Sequence, residues 1–157
     1  EICACLVGSE MCIRDRMKRC VVKLDRKKAE KKAERWQTIA LGAAKQSKRM
    51  QIPTVHMPVT FQQALAMMAE SDVRLMPYEN AEGMEGTRRI LESIEPGESI
   101  AILIGPEGGI DEAEVEMAMK EKVEPITLGK RILRTETAGM TVLSILVYLL
   151  EGRERTR

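Results

Sequence analysis

Ser99-Ile100-Ala101-Ile102-Leu103-Ile104 runs directly into Gly105-Pro106-Glu107-Gly108-Gly109. Further on, Pro125-Ile126-Thr127-Leu128-Gly129 runs into Lys130-Arg131-Ile132-Leu133-Arg134-Thr135-Glu136-Thr137-Ala138. A continuous apolar run rich in Ile reads as a parallel strand buried on both faces, and each glycine-bearing turn leads into a helix. Open parallel sheets bind ligands beyond the carboxyl ends of their strands, where loops converge and helix starts present unpaired N–H groups. Three glycines among residues 105–109 let backbone approach a ligand without a Cβ in the way. The loop has neither the Gly-Lys-Ser/Thr ending of a phosphate loop nor Gly-x-Gly-x-x-Gly of a dinucleotide fold. Glu107 would repel a phosphate, so a ligand without phosphates and carrying positive charge fits better.

Together, Leu103 to Gly109 and Leu128-Gly129-x-Arg131 to Ala138 resemble the paired signature of the RsmE-type family, which methylates N3 of a uridine in small-subunit ribosomal RNA. That family belongs to the SPOUT superfamily, whose C-terminal chain is threaded into a trefoil knot that binds S-adenosylmethionine. The resemblance implies an α/β fold: a mostly parallel sheet with helices on both faces and a C-terminal trefoil knot. Knots are essentially absent elsewhere, and composition or periodicity leads to none. The cofactor-binding residues implied are Leu103, Ile104, Gly105, Pro106, Glu107, Gly108, Leu128, Gly129, Ile132, Leu133, Thr135 and Thr137. Arg134, Thr135 and Glu136 are expected to border the methyl group.

The 157 residues, 44% hydrophobic, suffice for one globular domain with a core. Aromatics are 3%, so that core rests on aliphatic residues and the 11 methionines. No run is long enough to span a membrane. A net charge of +1 conceals an asymmetry: residues 14–49 hold 14 basic and 4 acidic side chains, net +10, whereas residues 50–157 are net −7. A basic segment on an acidic domain suggests a polyanionic partner, here small-subunit ribosomal RNA; a solvated, salt-bridged helix face is the alternative. Cys3, Cys5, Cys12 and Cys20 lack C-x-x-C spacing and His56 stands alone, so no metal site is expected. Clustered thiols without a secretory signal point to the reducing cytoplasm.

Residues 1–16 match nothing in the family and resemble translated read-through, so they are read as a non-native tail; a genuine short strand or helix is the alternative. Residues 17–152 are read as a partial SPOUT domain and 153–157 as a second tail. The family's RNA-binding domain, related to PUA domains, is expected to be absent, together with the SPOUT domain's opening strand and helix. Cys20 to Leu24 forms a short segment before Asp25, which caps a helix reaching about Lys48. Ala29, Ala33, Trp36, Ala40 and Ala43 make a narrow apolar seam packed on the sheet, leaving Lys27, Lys28, Lys31, Lys32 and Arg35 for solvent or RNA. Ala44-Lys45-Gln46-Ser47-Lys48-Arg49 resembles the family's Glu-Gln-Ser-Gly-Arg element near the active site, with Lys45 and Lys48 in place of Glu and Gly, and Gln46 to Arg49 are the expected RNA-binding residues. A dipole contact at the helix end is the alternative for Arg49.

Beyond the prolines flanking His56, Thr60 caps a helix over 61–70, residues 73–78 form a strand, and a polar loop over 79–86 opens with the conspicuous acid Glu79. A helix over 87–94 stops at Pro96-Gly97, and Asp111 with Glu114 suggests a capping box on a helix to Lys122. Residues 137–150 read as a helix apolar all round, which needs cover on every side; SPOUT enzymes are dimers with the site at that interface, so a homodimer through this helix is expected.

Methyl transfer demands positioning and charge adjustment. The catalytic candidates are Arg134 or Arg49 to stabilise the uridine anion, and Glu107 or Glu136 to orient the base. Because the resemblance covers only about residues 19–152, the chain is either a methyltransferase fragment of uncertain activity or a non-catalytic RNA-binding or dimerisation module.

Overall fold

The computed structural model describes residues 11–12, 15–16, 26–79, 81 and 83–154. In chain order the elements are β1 (Met11–Cys12), β2 (Asp15–Arg16), α1 (Arg26–Gln46), β3 (Thr54–Val55), β4 (Val59–Thr60), α2 (Phe61–Met68), β5 (Val73–Pro77), α3 (Met84–Glu92), β6 (Ile100–Ile102), α4 (Glu112–Lys120), β7 (Glu124–Ile126) and α5 (Thr135–Glu154).

The main sheet is parallel in the order β6-β5-β7, with Leu75 opposite Ile102 on one side and Glu124 on the other. Successive side chains of a strand point to opposite faces. Leu75 therefore joins Leu91, Ile94, Ile126, Val142 and Leu146 on the face covered by α3 and α5. Met76 joins Phe61, Leu65, Met68, Val115 and Ala118 on the face covered by α2 and α4. Both are 0% exposed. Helices thus cover both faces, as expected. The 99–104 run packs on both faces as expected, Ala101 and Leu103 toward the Met76 core and Ile100 and Ile102 toward the Leu75 core. β6 nevertheless lies at the edge of the described sheet, so its three residues are half-buried and only Leu103 and Ile104 beyond it are buried. Strand order, which apolar content does not encode, puts the less apolar β5 in the middle.

At the amino ends of these strands, Asp72 and Ser99 close a two-way latch. The Ser99 hydroxyl (2.6 Å) and N–H (2.9 Å) donate to the Asp72 carboxylate, and the Asp72 N–H donates to the Ser99 hydroxyl at 3.0 Å. These hydrogen bonds, the hydroxyl's first, hold the Asp72 carboxyl below its ordinary value. Arg74 donates to the carbonyls of Ala69, Ser71 and Glu121, tying the ends of α2 and α4 to the sheet.

The first part of the chain differs most from expectation. Met11–Cys12 pairs in parallel with Thr54–Val55, and Asp15–Arg16 with Val59–Thr60, α1 supplying the crossover that parallel pairing requires. Residues 11–12 and 15–16 therefore take part in strand pairing, which favours the alternative of a genuine short strand over exclusion from the fold. Backbone N–H and C=O groups make such ladders whatever the side-chain pattern, so the stretch carried no periodic signal. Cys20 to Leu24 and the expected cap Asp25 lie outside the described residues. The buried seam of α1 is Ala29, Ala33, Ala40 and Ala44 rather than Ala43, and it packs on β3, not on the main sheet. Gln37 completes that contact, donating to the Pro53 carbonyl (2.9 Å) and accepting from the Val55 N–H (2.8 Å).

Both expected caps are present as full capping boxes, Thr60 with Gln63 and Asp111 with Glu114. α3 starts three residues before Thr87, after Gly83 at φ +38°, and α5 runs from Thr135 through Glu154, so Arg153 and Glu154 are helical rather than a tail. Within the chain α5 buries the row Ala138, Val142, Leu146 and leaves Met140 and Tyr148 exposed, Tyr148 at 81%.

Candidate functional site

The carboxyl ends of β5, β6 and β7 open into one cleft of about 730 Å³, bounded by Pro77 to Glu79 after β5, Ile104 to Glu107 after β6 and Thr127 to Thr135 after β7. Converging parallel strands produce such a crevice because each must hand its chain to a loop at the same edge.

Hydrogen bonds hold the loops in place. Thr87 on α3, 4% exposed, accepts the Thr127 N–H at 2.8 Å. The Thr127 hydroxyl bonds with both the N–H and the carbonyl of Gly129, whose φ of +113° suits glycine. Thr135 donates its hydroxyl to the Gly105 carbonyl at 3.2 Å, joining the start of α5 to the first loop. At Gly105 a Cβ would lie 2.6 Å from Ile110 Cγ1, so glycine is required there by close packing. The Ala138 N–H donates to the Arg134 carbonyl at 2.8 Å, which makes Arg134 the residue from which α5 begins.

Of the sequence-predicted residues, Ile104, Gly105, Pro106, Glu107, Leu128, Gly129, Ile132, Leu133, Arg134 and Thr135 line the cleft. Leu103, Gly108, Thr137 and Glu136 do not. Leu103 belongs to the core shared with Met76. On a helix with 100° between residues, Thr135 and Ala138 share the cleft-facing side, which turns Glu136 and Thr137 away. Nor do Gln46, Ser47, Lys48 and Arg49 reach this cleft, because α1 is docked on β3. They close α1: the Arg49 N–H donates to the Ala44 carbonyl (2.9 Å), with Lys48 at φ +56° in the left-handed conformation usual for glycine at a helix end. Missing from the predicted set were Pro77, Tyr78, Glu79, Ala81, Gly83 and Met84 at and after the end of β5, Gly109, Thr127, Lys130, Arg131 and Ala138 within the quoted stretches, and Ile110 just beyond the first. Recognising 73–78 as a parallel neighbour would have found the first group, since its carboxyl end must open on the same edge.

The charged side chains at the cleft are the exposed Glu79, Glu107, Lys130, Arg131 and Arg134. Its wall thus combines apolar surface, backbone, two carboxylates and three cations. Among the described residues no cluster of His, Cys, Asp or Glu could hold a metal ion, and no helix is long and apolar enough to cross a membrane.

Residues 6–147 match the model of the RNA methyltransferase domain family. The chain belongs to this family, and within it to the RsmE type. The ribosomal RNA small subunit methyltransferase E of Bacillus subtilis is 44% identical over 136 residues, covering 85% of this chain and 53% of the relative. Two solved structures are similar in fold at 33% identity. A Legionella pneumophila methyltransferase in complex with the cofactor SAM has a TM-score of 0.76, covering 87% of this chain and 55% of that one. The Neisseria gonorrhoeae ribosomal RNA small subunit methyltransferase E bound to S-adenosyl methionine has a TM-score of 0.72, covering 87% and 53%. This RNA methyltransferase domain spans about half the length of such relatives. Its match begins inside the stretch that contains β1 and β2.

Proposed function

We propose that the cleft binds S-adenosylmethionine and that the chain carries the catalytic domain of a methyltransferase acting on N3 of a uridine in small-subunit ribosomal RNA. The observation that carries this reading is the meeting of both motif loops in one cleft at the carboxyl ends of three parallel strands, in a chain whose SAM-bound structural relatives share its fold. About 730 Å³ lies within the usual range for small-molecule sites. The mixed wall suits a ligand with a flat apolar ring system and charges of both signs, and Glu79 and Glu107 suit a sulfonium or ammonium.

When bound, S-adenosylmethionine supplies an electrophilic methyl group. The chain's own part is positioning and charge. Arg134 stabilises the negative charge left on the uridine ring when N3 gives up its proton, while Glu107 across the loop orients the base or accepts that proton. Arg49 and Glu136, outside the cleft, drop from these roles; Gln46 to Arg49 remain proposed RNA contacts beyond it.

The rest of the proposal follows the family: a C-terminal trefoil knot, a homodimer that covers the exposed side of α5, a PUA-related RNA-binding domain outside this chain, and a cytoplasmic setting. Calorimetric titration with S-adenosylmethionine, followed by transfer of labelled methyl to small-subunit ribosomal RNA and nucleoside mass spectrometry, tests it. Saturable binding and N3-methyluridine are expected, and Arg134→Ala keeps the binding but loses turnover. Methylation at another atom sinks the N3 assignment. No binding by the folded chain sinks the cofactor site and favours a non-catalytic RNA-binding or dimerisation module.

A further inference from the structure

The first three turns of α1 sort their side chains by charge. Neighbours four apart fall in rows along a helix. One row is Lys27, Lys31 and Arg35, and beside it runs Lys28, Lys32 and Trp36. Next comes the row turned to β3, Ala29, Ala33 and Gln37, and the last is Arg26, Glu30, Glu34 and Thr38. The two basic rows are adjacent, and the acids lie together on the flank beyond them. From Lys27 on, all the charged members are exposed except the half-buried Lys32, and Arg35's neighbour Trp36 is likewise half-buried.

A face built only to be solvated would gain by placing Glu four residues before Lys, the arrangement that supports a helix. Here four of the five charged pairs at that spacing are like with like: Lys27 with Lys31, Lys31 with Arg35, Lys28 with Lys32 and Glu30 with Glu34; only Arg26 with Glu30 is opposite, and there the cation comes first. The other opposite charges stand three apart, again with the cation first (Lys27 with Glu30, Lys31 with Glu34). The arrangement works against the isolated helix and concentrates positive charge along about 12 Å of its length. Residues 50–157 are net −7, so this stripe lies on the part of the chain to which a polyanion is drawn.

We propose that this basic stripe of α1 binds the phosphate backbone of RNA, as a surface separate from the cleft and from the end of α1. The proposal rests on the RNA substrate read above and adds where that RNA is gripped. Contact is with phosphates and independent of sequence, since Lys and Arg on a solvent-facing helix meet charge rather than base edges.

The test is fluorescence anisotropy of a labelled mixed-sequence RNA hairpin against the full chain over a range of salt, with calorimetry of S-adenosylmethionine in parallel. In the triple variant Lys27→Gln, Lys31→Gln, Arg35→Gln all three replaced side chains are exposed, so the fold is expected to be kept, which circular dichroism checks. It is expected to bind the hairpin on the order of tenfold more weakly at about 0.1 M salt, with the salt slope reduced by about 2. Glu30→Gln with Glu34→Gln is expected to tighten binding. Unchanged hairpin affinity and slope in the triple variant, or no hairpin binding by the parent chain, overturns the stripe. Loss of cofactor binding in the parent chain counts against the proposed reaction instead, so the two failures are separable.

Discussion

β5 and β6 lie side by side in one sheet and invert what their sequences advertise. Ile100-Ala101-Ile102 is wholly apolar yet occupies the edge, half-buried; Val73-Arg74-Leu75-Met76-Pro77 contains an arginine and a proline yet forms the centre, with both middle side chains fully covered. The arginine fits because it sits near the strand's amino end, where three loop and helix-end carbonyls take its donors. Pro77 fits as the last residue of the strand. Apolar content reports that a strand needs cover; its neighbours decide where it receives it.

The strongest way to break this contrast is to empty the centre. Leu75→Ala is expected to destabilise by about 2–5 kcal/mol, and Ile102→Ala at the edge by roughly half as much, measured by urea unfolding. Equal losses would show that β6 carries as much of the core as β5.

Beyond the end of β6 the packing is tight again. Gly105→Ala drives a Cβ against Ile110 and is expected to cost about 1–3 kcal/mol. Combining it with Ile110→Ala should cost less than the two separately, the coupling expected of touching residues. Strict additivity in the same unfolding assay would remove the contact as the reason for glycine.

On the other side of β5, Thr87 reaches the first residue after β7. Thr87→Val removes the acceptor of the Thr127 N–H and is expected to destabilise by about 1–2 kcal/mol and to speed amide exchange at Thr127, while Thr87→Ser retains slow exchange. Identical exchange in the Val and Ser variants would rule out the hydroxyl as the anchor.

The smallest effect belongs to the latch where β5 and β6 begin. A carboxyl held below its ordinary value binds its proton more weakly in the folded chain than in the unfolded one. Its stabilisation is therefore complete above the unfolded value, about 3.9, and lost as pH falls through the lower folded value. Asp72→Asn should accordingly lower the urea midpoint near neutrality, with the difference from the parent shrinking only in strong acid. A difference that persists unchanged there would assign it to lost packing.

Local signals were legible where the physics is local. Asp111 with Glu114 and Thr60 with Gln63 announce their helices because the side chains that satisfy the first N–H groups lie three residues apart. The glycine loops were equally readable, and ten of the residues named from them line the cleft. Less legible were positions set by partners distant in sequence. Ala44 instead of Ala43 faces β3, and Glu136 turns from the cleft that Thr135 lines, because a helix's rotation is chosen by what it docks against. The pairing of β1 and β2 used backbone groups that every sequence possesses.

By itself, then, the sequence determined the helix starts, the glycine-bearing turns, the charge asymmetry and the residue chemistry brought to the site. Only the tertiary structure decided that β5 is central, that three strand ends open on one cleft, and which side chains of α5 and α1 face it or miss it. The first group depends on interactions within a few residues of the chain. The second depends on burial and hydrogen bonding between segments tens of residues apart, such as Thr87 with Thr127 and Gly105 with Thr135, whose pairing no local pattern records.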